Sequence, residues 1–221
     1  MLKNKYIAIE GPIGVGKTSL AEILSSKLET GLFLESVEEN PFVTDFYRDM
    51  KKYAFQTQLF FLLSRYHHQQ DLLQMDIFKR GIISDYIFDK DRLFANLTLE
   101  DTELKLYEQI HNILKVQILK PDLVIFLQAS TDVLLKRIEL RGRKFEKKIK
   151  ADYLDELNKA YNYYFFHYRD TPLMVINTSD IDFVHRDADL DDLLLHLEKM
   201  GKGTVYYQPI SLQKGSKLHA E

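Results

Sequence analysis

The chain is 221 residues long, and 30 Lys and Arg against 33 Asp and Glu leave a formal net charge of −3. It contains no cysteine, which excludes a disulfide framework, thiolate catalysis and a Cys-ligated zinc or iron–sulfur site. No apolar run approaches the roughly 18–20 residues that span a bilayer, and the slight acidity argues against broad nucleic-acid or membrane-surface binding, so a cytoplasmic location is expected.

Taken in chain order, Tyr6-Ile7-Ala8-Ile9-Glu10 reads as a short buried strand that stops at a glycine-rich turn. From Thr18 the apolar residues Leu20, Ala21, Ile23, Leu24 and Leu28 recur at helical spacing. Leu32–Leu34 reads as a second strand, and residues 54–75 as a long helix with Phe55, Leu59, Leu62, Leu63 and Tyr66 along one stripe. Ile82–Asp85 is a third strand ending on an acid, followed by a helical segment over roughly 99–119. Pro121 opens the strand Leu123–Leu127, residues 131–141 and 151–168 are helical, Leu173–Ile176 is a fifth strand, and 189–199 closes the pattern as a helix. Apolar strands alternating with amphipathic helices predict an α/β fold: a parallel five-stranded sheet covered by helices on both faces. No internal repeat or linker divides the chain, so residues 1–210 are expected to form a single domain, with a polar tail at 211–221 left outside it.

The turn Gly11-Pro12-Ile13-Gly14-Val15-Gly16-Lys17-Thr18 fits G-x-x-x-x-G-K-[ST] at every fixed position and lies between a strand and a helix. Its glycines let backbone N–H groups point at phosphate oxygens, and the helix that follows offers its positive end. Lys17 is expected to reach the terminal phosphates and Thr18 to offer its hydroxyl to Mg²⁺, so the cofactors expected are ATP and Mg²⁺. The stretch Lys136–Lys150 carries eight basic residues against Glu139 and Glu146, a local +6 in an acidic chain. Arg137 and Arg141 are one helical repeat apart, Gly142 breaks the helix and Arg143 follows, the layout of a lid over about 137–150 that closes on phosphates. Asp85 and Glu35 each end a strand and so border the ligand crevice; Asp85 is a candidate for holding Mg²⁺. No N-K-x-D stretch for reading guanine is present, which disfavours a GTPase.

The order GPIGVGKT, Glu35-Ser36-Val37, Phe46-Tyr47, Phe55-Gln56, Leu63-Ser64-Arg65, Ser84-Asp85-Tyr86 and Arg137-x-x-x-Arg141-Gly142-Arg143-x-x-Glu146 resembles the deoxynucleoside kinase family, more closely its bacterial purine-type members, from about residue 5 to about 200. The resemblance implies the P-loop kinase fold, ATP-dependent phosphorylation of the 5′-hydroxyl of a deoxynucleoside, with a purine the expected base, and a homodimer packed through helices. It implies that Glu35 is the general base, that Gln56 and Arg65 read the nucleobase, and that Tyr47 and Glu146 hold the 3′-hydroxyl. It also implies that Arg137, Arg141 and Arg143 are lid arginines and that Asp182-Phe183 lies against the adenine of ATP. Two departures stand out: Ser36 replaces a proline, and Tyr86 replaces an arginine of an acid-Arg-Ser triplet. The latter leaves one phosphate-side cation missing or supplied from elsewhere, and both Asp89 and Asp91 remain candidates to partner Arg65. Gln56 and Arg65, nine residues apart, would lie on opposite sides of a straight helix.

Two other functions compete. A thymidylate-type monophosphate kinase shares the P-loop and lid but needs a basic clamp where residues 35–50 hold five acids and only Arg48. A non-catalytic nucleotide-binding regulatory module would not need Glu35, Asp85 and the lid together. The aromatic run Tyr161–Tyr168 is read as core and interface packing, not a base-stacking platform, because no basic stripe accompanies it.

Overall fold

The computed structural model describes residue 2 and residues 5–74, 81–179 and 187–208. Within these, strands β1 (Tyr6–Glu10), β2 (Gly31–Phe33), β3 (Ile82–Ser84), β4 (Leu123–Gln128), β5 (Leu173–Asn177) and β6 (Thr204–Tyr207) form one sheet in the order β2-β3-β1-β4-β5-β6. Every pairing is parallel, with Tyr6 opposite Ile82, Ile7 opposite Leu123 and Val124 opposite Leu173. The β-branched and aromatic runs take this role because both faces of the sheet are covered: all five residues of β1 are buried.

The helices are α1 (Lys17–Leu28), α2 (Val43–Phe46), α3 (Met50–Gln74), α4 (Lys90–Thr98), α5 (Asp101–Lys115), α6 (Thr131–Arg141), α7 (Ala151–His167) and α8 (Asp187–Lys199). The main core joins the sheet to α1, α6, α7 and α8, and Phe126 of β4 stacks on Phe165 of α7 at 4.2 Å. Burying each such ring stabilises by about 2–3 kcal/mol. A smaller core of Leu62, Phe88, Ala95 and Tyr107 locks α3, α4 and α5 together beside the crevice.

The sheet has six strands, not the expected five. Thr204–Tyr207 pairs with β5 at the sheet edge, with Leu173 opposite Thr204, and three of its four residues are exposed, so no continuous apolar run marks it. The segment expected as one helix over 99–119 is α5 alone, capped by a reciprocal Glu100–Glu103 capping box. The preceding α4 escapes hydrophobic patterning because its buried face is made of Lys90, Asp91 and Ala95. Lys90 and Phe94 of α4 line the crevice, whereas Ala95 packs into the smaller core.

Strand β1 lies between β3 and β4, where the direction of chain progression across the sheet reverses. In open α/β sheets this is the point at which ligands bind. The glycine-rich turn leaves its C-terminal end, and Glu35 and Asp85 follow β2 and β3 on the same edge.

Candidate active site

The turn after β1 closes into a phosphate cradle by left-handed backbone at two glycines, Gly14 with φ 83° and Gly16 with φ 104°. A methyl group on Gly14 would meet Ile138 Cγ1 at 2.8 Å and the Leu134 carbonyl oxygen at 2.9 Å, so α6 packs directly on the turn. Helix α1 begins at Lys17 and directs its free N–H groups at the cradle. The Lys17 ammonium donates to the carbonyls of Gly11 at 2.8 Å and Pro12 at 3.1 Å. Burial first, then the nearby charge of Lys90, pull its pKa down to about 8, against the opposing carboxylates Glu10, Glu35 and Asp85.

Asp85 joins the two halves of the site. Its Oδ2 accepts the Thr18 hydroxyl at 2.7 Å, and its Oδ1 accepts the Glu35 backbone N–H at 2.8 Å. A hydroxyl and a carboxylate in contact beside a phosphate cradle are the hard oxygen donors that Mg²⁺ prefers. Among the described residues no cluster of three or more His, Cys, Asp or Glu would hold a metal unaided, so phosphate oxygens and water would complete the coordination.

A cleft connects this end to a second one. Ile13, Gly14, Lys17 and Thr18 line the phosphate end; Tyr47, Gln58, Phe61 and Arg65 line the far end; Glu35, Asp85 and Lys90 stand between them, with Arg141, Arg143 and Glu146 along the rim. Glu35 is gripped by two cations: the Arg65 guanidinium pairs with Oε1 and the Lys90 ammonium with Oε2, the latter at 2.5 Å. Burial alone would raise the Glu35 carboxyl, but Arg65, Lys90 and Lys17 together hold it well below the usual carboxylate range. Arg65 pairs with Asp91 through its other terminal nitrogen, which decides between the two candidate partners. Asp89 turns away to Lys115 at 2.7 Å and to His111 at 3.6 Å.

Tyr47 and Glu146 both line the cleft, Tyr47 at the far end and Glu146 on the rim. Burial first, then the charges of Glu146 and Glu35, raise the Tyr47 phenol, so it remains a neutral hydrogen-bond donor. Its ring stacks on Phe145 at 6.3 Å. Glu146 is buried and accepts a two-pronged grip from Arg141 at 2.6 and 3.1 Å. Arg143 reaches Glu38 at 3.4 Å.

Arg137 is placed differently from the other two lid arginines. It donates to the Val15 carbonyl at 3.2 Å and to the Thr178 hydroxyl and carbonyl at 2.9 and 2.6 Å, tying α6 to the phosphate turn and to the end of β5. It is not among the residues that line the cleft.

One sequence assignment is corrected. Gln56 does not line the cleft: its amide donates to the Lys52 carbonyl of its own helix at 3.2 Å, an exposed contact. The amide in the cleft belongs to Gln58, which is buried. Gln58 and Arg65 are seven residues apart, about 20° short of two full helical turns, so they share a face, whereas the nine-residue spacing from Gln56 puts it on the far side. That spacing was the signal available in the sequence. Two further residues had no such signal. Lys90 begins the unforeseen α4, and Glu10, fully buried at the end of β1, accepts the N–H groups of Gly11 at 2.9 Å and Ile87 at 3.0 Å and the Tyr161 hydroxyl at 3.0 Å. Asp182 and Phe183 lie outside the described residues.

Comparison with known proteins identifies the family of the chain. The family model for deoxynucleoside kinase matches residues 7–201. The chain is 38% identical over 201 residues to a deoxyguanosine kinase of Bacillus subtilis, spanning 88% of this chain and 97% of that one. It is 34% identical over 194 residues to a deoxyadenosine kinase of Lactobacillus acidophilus, spanning 81% and 88% of the two chains. The solved deoxyadenosine kinase of M. mycoides with bound dCTP superposes with a TM-score of 0.76 at 29% identity, covering 88% of this chain and all of that one. The same kinase with bound dATP superposes with a TM-score of 0.75. With the family model matching most of its length and relatives above 30% identity across most of both chains, the chain belongs to the deoxynucleoside kinase family and phosphorylates deoxynucleosides.

Proposed function

We propose that this chain transfers the γ-phosphoryl group of ATP, with Mg²⁺, to the 5′-hydroxyl of a purine deoxynucleoside. The observation that carries this reading is the position of Glu35, between the phosphate cradle and the Gln58–Arg65 end of one cleft. A nucleoside lying from Gln58 toward Lys17 would bring its 5′-oxygen to the carboxylate. Glu35 accepts the hydroxyl proton, the oxygen forms a bond to the γ-phosphorus, and the bond from phosphorus to the β–γ bridging oxygen breaks to release ADP. In a loose phosphoryl-transfer transition state the nucleophile bonds weakly and its proton leaves late. A weakly basic but well-placed carboxylate is therefore adequate, and positioning does most of the work. Lys17, released from its backbone carbonyls, and Arg141 and Arg143 of the lid would stabilise the charge on the moving group. Thr18 and Asp85 would hold Mg²⁺, which would supply further neutralisation of the phosphates.

At the far end the Gln58 amide offers both donor and acceptor to a base edge, and Arg65, oriented by Asp91, adds donors. The purine preference rests on the deoxyguanosine and deoxyadenosine kinases among its relatives. Initial rates with the four deoxynucleosides and with thymidylate test the reading: faster turnover of pyrimidines than of both purines refutes the base preference, and faster turnover of thymidylate refutes the nucleoside acceptor. The monophosphate alternative is disfavoured by Arg48, the one basic residue of the 35–50 stretch, which pairs with Asp45 at 3.3 Å on the exposed surface.

The same reading includes a homodimer built on α4 and α7, where Tyr163, 72% exposed, lines a groove with Leu97, and Phe166 of the same helix is 67% exposed. Light scattering that gave the mass of one chain would refute it.

A further inference from the structure

Lysine is almost never fully buried unless paired, yet Lys90 is 4% exposed in the wall of the cleft. Its place is fixed from several directions. It is the first residue of α4, and the loop before it is held by Glu10 through the Ile87 N–H, by the Ser84 hydroxyl donating to the Tyr86 carbonyl at 2.8 Å, and by the Asp89–Lys115 pair. Tyr86, where the family pattern has an arginine, points inward instead: it is fully buried, with the Arg65 guanidinium 5.7 Å from its ring centre. An aromatic ring supports Arg65 from below but brings no charge to Glu35.

The two cations on Glu35 are not equivalent. Arg65 divides its terminal nitrogens between Glu35 and Asp91 and shares a helix face with Gln58, so it belongs to the base-reading end. Lys90 holds the other carboxylate oxygen of Glu35, Oε2, and the charge of Lys90 itself is near enough to Lys17 to lower the pKa of that ammonium, which Glu35 opposes. Lys90 therefore lies on the phosphate side of the carboxylate.

We propose that Lys90 is the positioning residue of the acceptor centre: acting through Glu35, it supplies the cation that Tyr86 does not, and it fixes the carboxylate when Arg65 turns to the nucleobase. The inference rests on the reading of Glu35 as the group that receives the 5′-hydroxyl proton.

The test compares Lys90→Met, Lys90→Arg, Glu35→Gln and the double variant Glu35→Gln/Lys90→Met in steady-state phosphorylation of deoxyguanosine and deoxyadenosine. Lys90→Met is expected to lower kcat about 100-fold with the KM values for nucleoside and ATP within about threefold, because a misplaced proton acceptor affects the transition state more than ground-state binding. Lys90→Arg should restore kcat to within about tenfold of wild type. In the Glu35→Gln background, Lys90→Met should add less than about threefold, since two residues acting as one unit do not add. The double variant removes both buried charges and leaves Arg65 on Asp91, so it carries the test even if the single Lys90→Met chain does not fold. An unchanged kcat, a loss confined to KM, Lys90→Arg as impaired as Lys90→Met, or additive losses would each overturn the proposal. A wild-type chain that phosphorylates none of the deoxynucleosides would overturn the functional reading beneath it instead.

Discussion

Replacing Gln58 with alanine separates the two glutamines of the Phe-Gln-Thr-Gln stretch more sharply than any comparison of distances. In the unliganded cleft the Gln58 amide makes one long contact, 3.4 Å to the Thr98 hydroxyl, so most of its hydrogen-bonding capacity is uncommitted. A bound base would take a donor and an acceptor from it. Truncation leaves those two base atoms buried without partners, and an orphaned buried polar group costs about 1–3 kcal/mol. Taking about 2–3 kcal/mol for the pair, because the enlarged cleft admits water, kcat/KM for deoxyguanosine should fall roughly 30- to 150-fold. Gln56→Ala removes only an exposed contact to its own helix backbone and should change kcat/KM by less than about twofold. Both variants would be assayed with deoxyguanosine and deoxyadenosine, with thermal midpoints recorded to detect lost packing at the buried Gln58. A Gln56→Ala loss equal to or larger than that of Gln58→Ala, with both proteins folded, would refute the placement of the amide and the face argument behind it.

Two other outcomes concern stability. Gly14→Ala imposes a side chain on backbone at φ 83° and drives a methyl to 2.9 Å from the Leu134 carbonyl, whereas Gly16→Ala meets open space. Gly14→Ala should therefore lower the nucleotide-free stability by about 2–3 kcal/mol and Gly16→Ala by about 1 kcal/mol, measured by urea unfolding. His111 is buried beneath Phe88, and burial, only partly offset by Asp89, lowers its pKa to about 4 from an unfolded value near 6.5. The unfolded chain takes up this proton first, so the His111 contribution to stability is constant above about pH 6.5 and is lost between there and pH 4, by at most about 3 kcal/mol. A His111→Gln variant that loses stability over that interval as steeply as wild type would contradict this assignment.

What the sequence disclosed follows the strength of each local signal. The phosphate turn was legible because its chemistry demands fixed residue types at fixed spacing, and the buried strands because parallel sheets need continuous apolar runs. Strand β6 was not, since an edge strand with three exposed residues has no such run to display. Helix α4 was missed for a different reason: its first turn buries Lys90, which lines the cleft, and Asp91, which pairs with Arg65, so the residues that serve the site interrupt the apolar pattern. Resemblance supplied Glu35, Tyr47, Arg65 and Glu146 as a set, and the structure brings these four into one cleft. Resemblance misplaced the glutamine by two residues, an error that helical geometry alone could have corrected, since only Gln58 shares a face with Arg65.

The distribution of charge within the cleft bears on why the acceptor should be neutral. Around the acceptor part of the cleft three carboxylates are already answered: Glu35 in the middle by Arg65 and Lys90, Asp91 by Arg65, and Glu146 on the rim by Arg141. An anionic acceptor such as a monophosphate would have to break one of these buried pairs, and removing one partner from a buried ion pair is strongly unfavourable, about 3–5 kcal/mol. At the phosphate end the situation is reversed. Lys17 rests on two backbone carbonyls, neutral partners that a phosphate readily outcompetes, and the N–H groups of α1 point into the same space. A net charge of −3 thus conceals a division of labour: one end of the cleft is internally neutralised and suits an uncharged nucleoside, and the other holds its positive charge in reserve for a triphosphate.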